Sequence, residues 1–375
     1  MDRYINSSEF TCAKYLVKRL QHGLNRIQVS VSSKEDISIS RRPAGGACTM
    51  RIRRGPKCFV LTGVAFCFFL LIYVQDMTNI IAYVNNKVPV HRHVVRWVEN
   101  EHDHRRPRMM ITYKGRLGNH MFEYATLIGI ARRYNMTPII PDDVDLLDVF
   151  KIPTPQGSLD LLRDPKRYPE EKAATYYKGV EKIDPTRDAY LDGYYQSWKY
   201  FDDLRDELLN KHFLLHPSLK IAANNYIKNL LKERKLEGAV LVAVHVRRGD
   251  FVRQRVKGYT AAPIPYYYKA MDHFRKKYGK VMFIICTNDL IWAETNLDEG
   301  PDVHYSHETD GSLDLAIMIS CDHMIITSGS YSWWAGYLVK GEVIYYAGYP
   351  APNTKIGNLT SKEDYYPPYW TGLMP

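Results

Sequence analysis

Residues Gly238 to Val252 read GAVLVAVHVRRGDFV. Ala239 to Val246 is an apolar, β-branched run of strand length, which predicts a buried central strand rather than an edge. Directly after it, Arg247, Arg248 and Asp250 gather around Gly249. A strand from the core thus delivers two guanidinium groups and a carboxylate to its carboxyl end, where open α/β sheets bind ligands. Arginine's planar fork matches the paired oxygens of a diphosphate and keeps its charge when partly buried. A surface turn with an Arg-Asp ion pair would fit the same stretch, so the rest of the chain has to decide.

On either side of this stretch the pattern alternates. Helical spacing runs from Asp202 to His212 and from Pro217 to Arg234 ahead of it. Behind it come an amphipathic segment from Pro265 to Tyr278, a strand at Val281 to Thr287, a helix at Asp289 to Asn296 and a short strand at Val303 to Tyr305. A helix at Ser312 to Ser320, a strand at His323 to Thr327, a helix at Tyr331 to Leu338 and a strand at Val343 to Tyr346 follow. Strands alternating with helices indicate an α/β fold with a parallel sheet covered on both faces. No repeat of solenoid or propeller period is present.

Two further stretches share the logic of the first. Met109 to Tyr113 reads as a strand, Gly115-Arg116-Leu117-Gly118-Asn119 as a glycine-hinged turn, and Met121 to Tyr134 as a helix. Such a unit lets the backbone approach a ligand and offers free helix N–H groups to an anion, although many such turns are only tight connections. Ile325 to Trp334 opens from an apolar run into Thr327, Ser328, Gly329, Ser330 and Tyr331; its hydroxyls suit a phosphate or equally a helix cap. After a strand at Pro138 to Pro141, Asp143-Val144-Asp145 spells the Asp-x-Asp pattern of metal-holding loops, though three acids in a loop are more often a solvated cap. The region up to Arg187 reads as irregular. Leu191 to Phe201 packs aromatics around Gln196 and Lys199, a platform for stacking on a sugar or base unless it is simply the edge of the core.

The chain of 375 residues exceeds one ordinary core, and its net charge of +10 is unevenly placed. Residues 1–57 hold 12 basic and 4 acidic residues, leaving 39 against 37 for the rest, so the folded body carries no nucleic-acid signature. Cys58 to Gln75 then runs for eighteen residues without a charge, enough to span a bilayer. The basic cluster precedes it, which predicts a cytosolic tail (1–57), a single-pass signal-anchor (58–75) and a stem (76–107) leading to a lumenal body. In that topology Asn135 and Asn358 head glycosylation sequons, the first weakened by Pro138. Cys286 and Cys321 read as small buried hydrophobes, with a disulfide between them left open. No Cys/His set has zinc spacing.

Taken in order, GRLGN, GYYQSWKYF, AVHVRRGDFV, MFIICTN and GSLDLAIMISCDHMIITSGSYSWWAGYL resemble the α-1,2-fucosyltransferase family, from about Arg108 to Tyr349. The resemblance implies a GT-B-like pair of Rossmann-type domains with parallel sheets, here 108–237 on the acceptor side and 238–375 on the nucleotide-sugar side. It also implies a Golgi membrane enzyme of type II layout. Such an enzyme transfers fucose from GDP-fucose to a galactose-terminated glycan, with inversion and without a metal.

Residue by residue, Arg247 falls where the family places the arginine that neutralises the diphosphate, with His245 and Arg248 in the same signature. Asn119 and Arg116 match turn positions facing the reaction centre, Ser330 and Tyr331 match contacts to phosphate and guanine, and Asp314 matches a nucleotide-side acid. The family usually has Gln where His120 stands, a ring that reaches differently and can take a proton. Glu123 is the candidate base, though a helical Glu one turn in also serves as a dipole partner. Competing expectations are another GDP-fucose-dependent transferase, for example one acting on protein hydroxyls, and a non-catalytic membrane-anchored lectin.

Overall fold

The computed structural model describes residues 106–297 and 300–375 in full. Ahead of them it gives the backbone of three short strands, β1 (Ile27–Ser32), β2 (Asp36–Arg41) and β3 (Met50–Arg53), paired antiparallel in that order. The expected membrane span at 58–75 and the stem that follows it lie outside the described residues. Among the described residues no helix is long and apolar enough to cross a membrane.

The stretch at Gly238 to Val252 does form a central strand. It supplies β8 (Val240–Val246), whose last five residues are buried. On one side β8 pairs in parallel with β9 (Val281–Thr287), which pairs with β10 (Val303–Tyr305). On the other it pairs with β11 (His323–Ile326), followed by β12 (Val343–Tyr346) and β13 (Thr371–Leu373). The order β10-β9-β8-β11-β12-β13 therefore reverses direction between β8 and β11. At such a switch point the two loops leaving the carboxyl ends diverge to opposite faces and leave a crevice.

A second parallel sheet of four strands repeats the device. Its order is β5-β4-β7-β6, with β4 (Arg108–Ile111), β5 (Thr137–Pro138), β6 (Lys166–Pro169) and β7 (Ala189–Asp192). Here the reversal falls between β4 and β7. β6 lies where the sequence looked irregular, and β7 begins just past that region. Lys166-Arg167-Tyr168-Pro169 buries Tyr168 alone, so it carries no apolar run for a pattern to register.

The sheets are joined by helices that share one core. Helix α1 (Leu117–Arg133) begins four residues earlier than the apolar spacing indicates, so Gly118, Asn119 and His120 belong to its first turn. Helix α2 (Pro217–Arg234) starts on a proline, whose fixed φ suits the first helical position, and packs on α4 (Gly311–Ile319). Helix α3 (Ile264–Tyr278) covers β9 and β11, and α5 (Ser330–Leu338) packs against α1. At the α1–α5 junction Phe122 lies 4.4 Å from Trp333, and Phe201 stacks on Trp334 at 5.5 Å between ring centroids. The expected helix at Asp202 to His212 is instead a 3₁₀ turn, one α-turn and a π-turn in succession.

Residues 354–370 then cross back from the six-stranded sheet to the half built on the four-stranded one. Thr175 Oγ1 donates to the Leu359 carbonyl at 3.1 Å, Ser197 Oγ to that of Asp364 at 2.7 Å, and Trp333 Nε1 to that of Tyr365 at 2.7 Å. Pro89–Pro375 accordingly forms one compact unit.

Candidate active site

At the β8/β11 switch point the chain leaves β8 through Arg247. The Thr327 hydroxyl, just past β11, accepts from the Arg247 N–H at 3.2 Å and donates to the His245 carbonyl at 3.2 Å. One side chain thus pins the two strand ends together. Gly249 turns the chain with φ +46°, a conformation that side chains with a Cβ rarely adopt. Asn288, after β9, accepts from the Arg248 N–H at 2.9 Å. The Arg248 guanidinium lies 3.6 Å from the centroid of the Trp292 ring. Arg247 Nη2 donates to Asp250 Oδ2 at 2.9 Å, and the guanidinium sits over Phe251 at 5.3 Å. A guanidinium has five N–H donors, so this bond leaves others for a ligand.

His245 is buried beneath these groups, 5.3 Å between centroids from Tyr331. Burial, and then the neighbouring Arg247, push its pKa down to about 3, so it is a neutral ring. Its Nδ1 has no hydrogen-bond partner. Asp314, in the first turn of α4, accepts from Ser306 Oγ at 2.6 Å; burial raises its carboxyl to about 6. The Tyr331 hydroxyl donates to the Gly311 carbonyl at 2.5 Å, holding the N-termini of α4 and α5 together.

The β4/β7 switch point faces this one. Gly115 turns with φ +96°, and Arg116 caps α1, its side chain exposed. From the first turn of α1, Asn119 Oδ1 accepts from Gln196 Nε2 at 2.9 Å and from Ser330 Oγ at 2.5 Å. Gly118 makes the approach possible: a Cβ there would stand 2.4 Å from the Tyr331 backbone nitrogen. The N-termini of α1 and α5 therefore meet backbone to backbone at the site.

Several expected residues sit otherwise than the sequence suggested. Glu123 has no exposed surface, and its carboxyl accepts from the Lys114 N–H at 3.0 and 3.2 Å. Burial raises its pKa to about 9. A buried, protonated carboxyl braces the glycine turn and is neither basic nor open to an acceptor at neutral pH, which corrects its reading as the base. The aromatic stretch also needs correction as a stacking platform. Tyr195, Tyr200 and Phe201 are fully buried, Lys199 pairs with Asp364 at 2.6 Å, and Gln196 reaches the site through its bond to Asn119. Asp145, the last acid of the Asp-x-Asp pattern, pairs with His120, and among the described residues no group of three or more His, Cys, Asp or Glu is poised around a metal. Cys286 and Cys321 are buried free thiols. Asn135 and Asn358 are both exposed.

Asn288 and Trp292 were missed as parts of the site, and Thr327 was read as a phosphate contact or helix cap rather than as the pin between two strand ends. For Asn288 a sequence signal was present, since it directly follows an apolar strand. Trp292 lies within a helix and is recognisable only once Arg248 is seen above it.

The described geometry can be set beside known proteins. The profile of glycosyl transferase family 11 matches residues 77–374. Galactoside 2-alpha-L-fucosyltransferase Sec1 of Mus musculus is 32% identical over 273 residues, which cover 70% of this chain and 73% of that protein. Galactoside alpha-(1,2)-fucosyltransferase 2 of Pongo pygmaeus is 32% identical over 274 residues, 69% and 77% of the two chains. Among solved structures, the fucosyltransferase NodZ from Bradyrhizobium is similar at 14% identity with a TM-score of 0.44, over 65% of this chain and 97% of that one. The structural likeness is too loose to add to the sequence match. That match runs through both switch points and both helix N-termini, and on it the chain belongs to glycosyl transferase family 11, with the galactoside α-1,2-fucosyltransferases.

Proposed function

We propose that this chain transfers L-fucose from GDP-β-L-fucose to the 2-hydroxyl of a terminal galactose-type residue, inverting the anomeric centre and needing no metal. The observation that carries the reading is the bond between Asn119 and Ser330, which brings the two helix N-termini together beside Arg247. Positive helix ends and a guanidinium at one crevice suit a diphosphate. The two sheets then act as the GT-B-like halves, 108–237 towards the acceptor and 238–375 towards the nucleotide.

The mechanism follows from where charge develops. As the bond from fucose C1 to the diphosphate breaks, negative charge grows on GDP and the sugar becomes oxocarbenium-like. An Arg247 already in place stabilises that transition state more than the ground state. Arg248 and Arg116 add side-chain donors around the phosphates and the start of α5 at Ser330 adds its backbone N–H, Asp250 orients Arg247, and Asp314 and Tyr331 line the nucleotide side beside neutral His245. The acceptor hydroxyl attacks from the face opposite GDP, which inverts the linkage.

The chain further fits a Golgi type II membrane protein. The charge asymmetry around 58–75 supports this, as does the exposure of Asn135 and Asn358.

The test is turnover of GDP-fucose by the purified chain on an array of galactose-terminated glycans, with and without EDTA. Fucose appearing on galactose in both conditions is expected. Transfer only to folded protein domains, glycan binding without GDP release, or strict dependence on added manganese would each overturn a part of this reading.

A further inference from the structure

His120 stands where the family pattern usually has Gln, one residue past Asn119 in the first turn of α1. Its Nδ1 lies 2.5 Å from Asp145 Oδ1, and its edge meets the Tyr113 ring at 5.5 Å between centroids. A carboxylate can only accept, so the shared proton belongs on Nδ1, and in the neutral ring Nε2 then carries the lone pair. Among the described residues nothing bonds Nε2, and the side chain is 14% exposed. A ring fixed at one nitrogen by an acid and open at the other is the arrangement of a general base with its orienting carboxylate. It lies at the carboxyl-end mouth of β4, next to the Asn119 amide that joins the two switch points.

We propose that His120, held by Asp145, is the base that deprotonates the acceptor hydroxyl; this rests on the transferase reading above. The acceptor's 2-hydroxyl O–H bond breaks and its proton passes to His120 Nε2, while the oxygen forms its bond to fucose C1. The bond from C1 to the diphosphate breaks with its electron pair on GDP, so atoms and charge balance without a further reagent. Glutamine at this position can hydrogen-bond the hydroxyl but cannot take its proton at neutral pH.

Asp145 bonds the ring, Tyr113 lies against its edge, Arg116 caps the same helix, and Glu123 lies one turn further along. Loss of the carboxylate in Asp145→Asn should lower turnover, because an amide can turn its NH₂ towards Nδ1 and leave the ring proton on Nε2.

The experiment measures transfer to a galactoside against pH for wild type, His120→Gln, His120→Ala and Asp145→Asn, with GDP affinity as a separate readout of an intact nucleotide site. A general base is worth on the order of 10²-fold or more. Both His120 variants are expected to lose roughly that much turnover near neutral pH and to bind GDP as wild type does. A His120→Gln enzyme with the wild-type rate would overturn the proposal. So would a loss of GDP affinity that matches the loss of rate, which would make His120 a structural residue. Should the His120 variants not fold, wild-type turnover in Asp145→Asn would overturn it equally. A wild-type chain inert towards every galactoside removes the transferase reading, and this inference with it.

Discussion

Ser330 donates its hydroxyl to Asn119 at 2.5 Å across 211 residues of sequence, and this bond joins the helix that follows β4 to the helix that follows β11. Because Gln196 uses the same acceptor oxygen at 2.9 Å, the three residues form one small network. Ser330→Ala and Asn119→Ala should each lower stability by about 1 kcal/mol, the ordinary net worth of such a bond. In a double-mutant cycle the two should be non-additive by about 0.5–1 kcal/mol, read from denaturant unfolding. Full additivity would mean that the bond holds nothing together.

Gly118 sets how closely those helices approach. A methyl group there would meet the Tyr331 nitrogen at 2.4 Å and the Ser330 carbonyl carbon at 2.7 Å, both backbone atoms that no rotamer change can move. Gly118→Ala should therefore separate the two helix ends and weaken GDP binding more than tenfold, measured by calorimetry, with only a modest fall in melting temperature. Affinity like that of wild type would show that the nucleotide does not depend on this junction.

Arg247 is the sharpest test of the mechanism. Its fork already holds Asp250 at 2.9 Å, so it is preoriented before any ligand arrives. Arg247→Ala should reduce turnover by roughly 10²–10³, the usual cost of one transition-state charge contact. Arg247→Lys keeps the charge without the fork and should recover little of that loss. Melting temperatures should stay level, since the residue sits outside the buried run of β8. A lysine variant within a few-fold of wild type would rule out the two-pronged clamp.

Glu123 makes stability depend on pH. Its folded pKa of about 9 lies above that of an exposed glutamate, so the folded state holds a proton that the unfolded chain releases. The contribution is fully present below about pH 4 and is lost as pH rises through about 9. Glu123→Gln keeps an acceptor for the Lys114 N–H and removes the titration. The wild-type melting temperature should decline from pH 5 to 9, and the Gln variant should decline less. Parallel curves would mean that the carboxyl is ionised in the folded protein.

Most of the six-stranded half was legible in the sequence because its strands are buried on both faces and read as unbroken apolar runs. β8, β9, β10 and β12 fall where those runs predict them. The four-stranded half was less legible. Lys166–Pro169 exposes three of its four residues and is held in place by its register with β7, a long-range pairing that no local pattern announces. For the site, strand-to-loop transitions located Arg247 and Ser330. The partners that give these side chains their geometry come from distant segments: Thr327 for Arg247, Asn119 for Ser330, Asp145 for His120. The role of Glu123 was misread for the same reason, since helical spacing gives its position on α1 but not the Lys114 N–H that closes over it.

The return of residues 354–370 to the four-stranded half bears on how the molecule comes apart. Leu359, Asp364 and Tyr365 are bonded to Thr175, Ser197 and Trp333, and the chain then ends its course as the edge strand β13 of the other sheet. Neither sheet can lose its order without releasing the segment that completes its neighbour. Two linked modules would melt in two steps; this unit should melt in one, with far-ultraviolet dichroism and tryptophan fluorescence tracing the same transition.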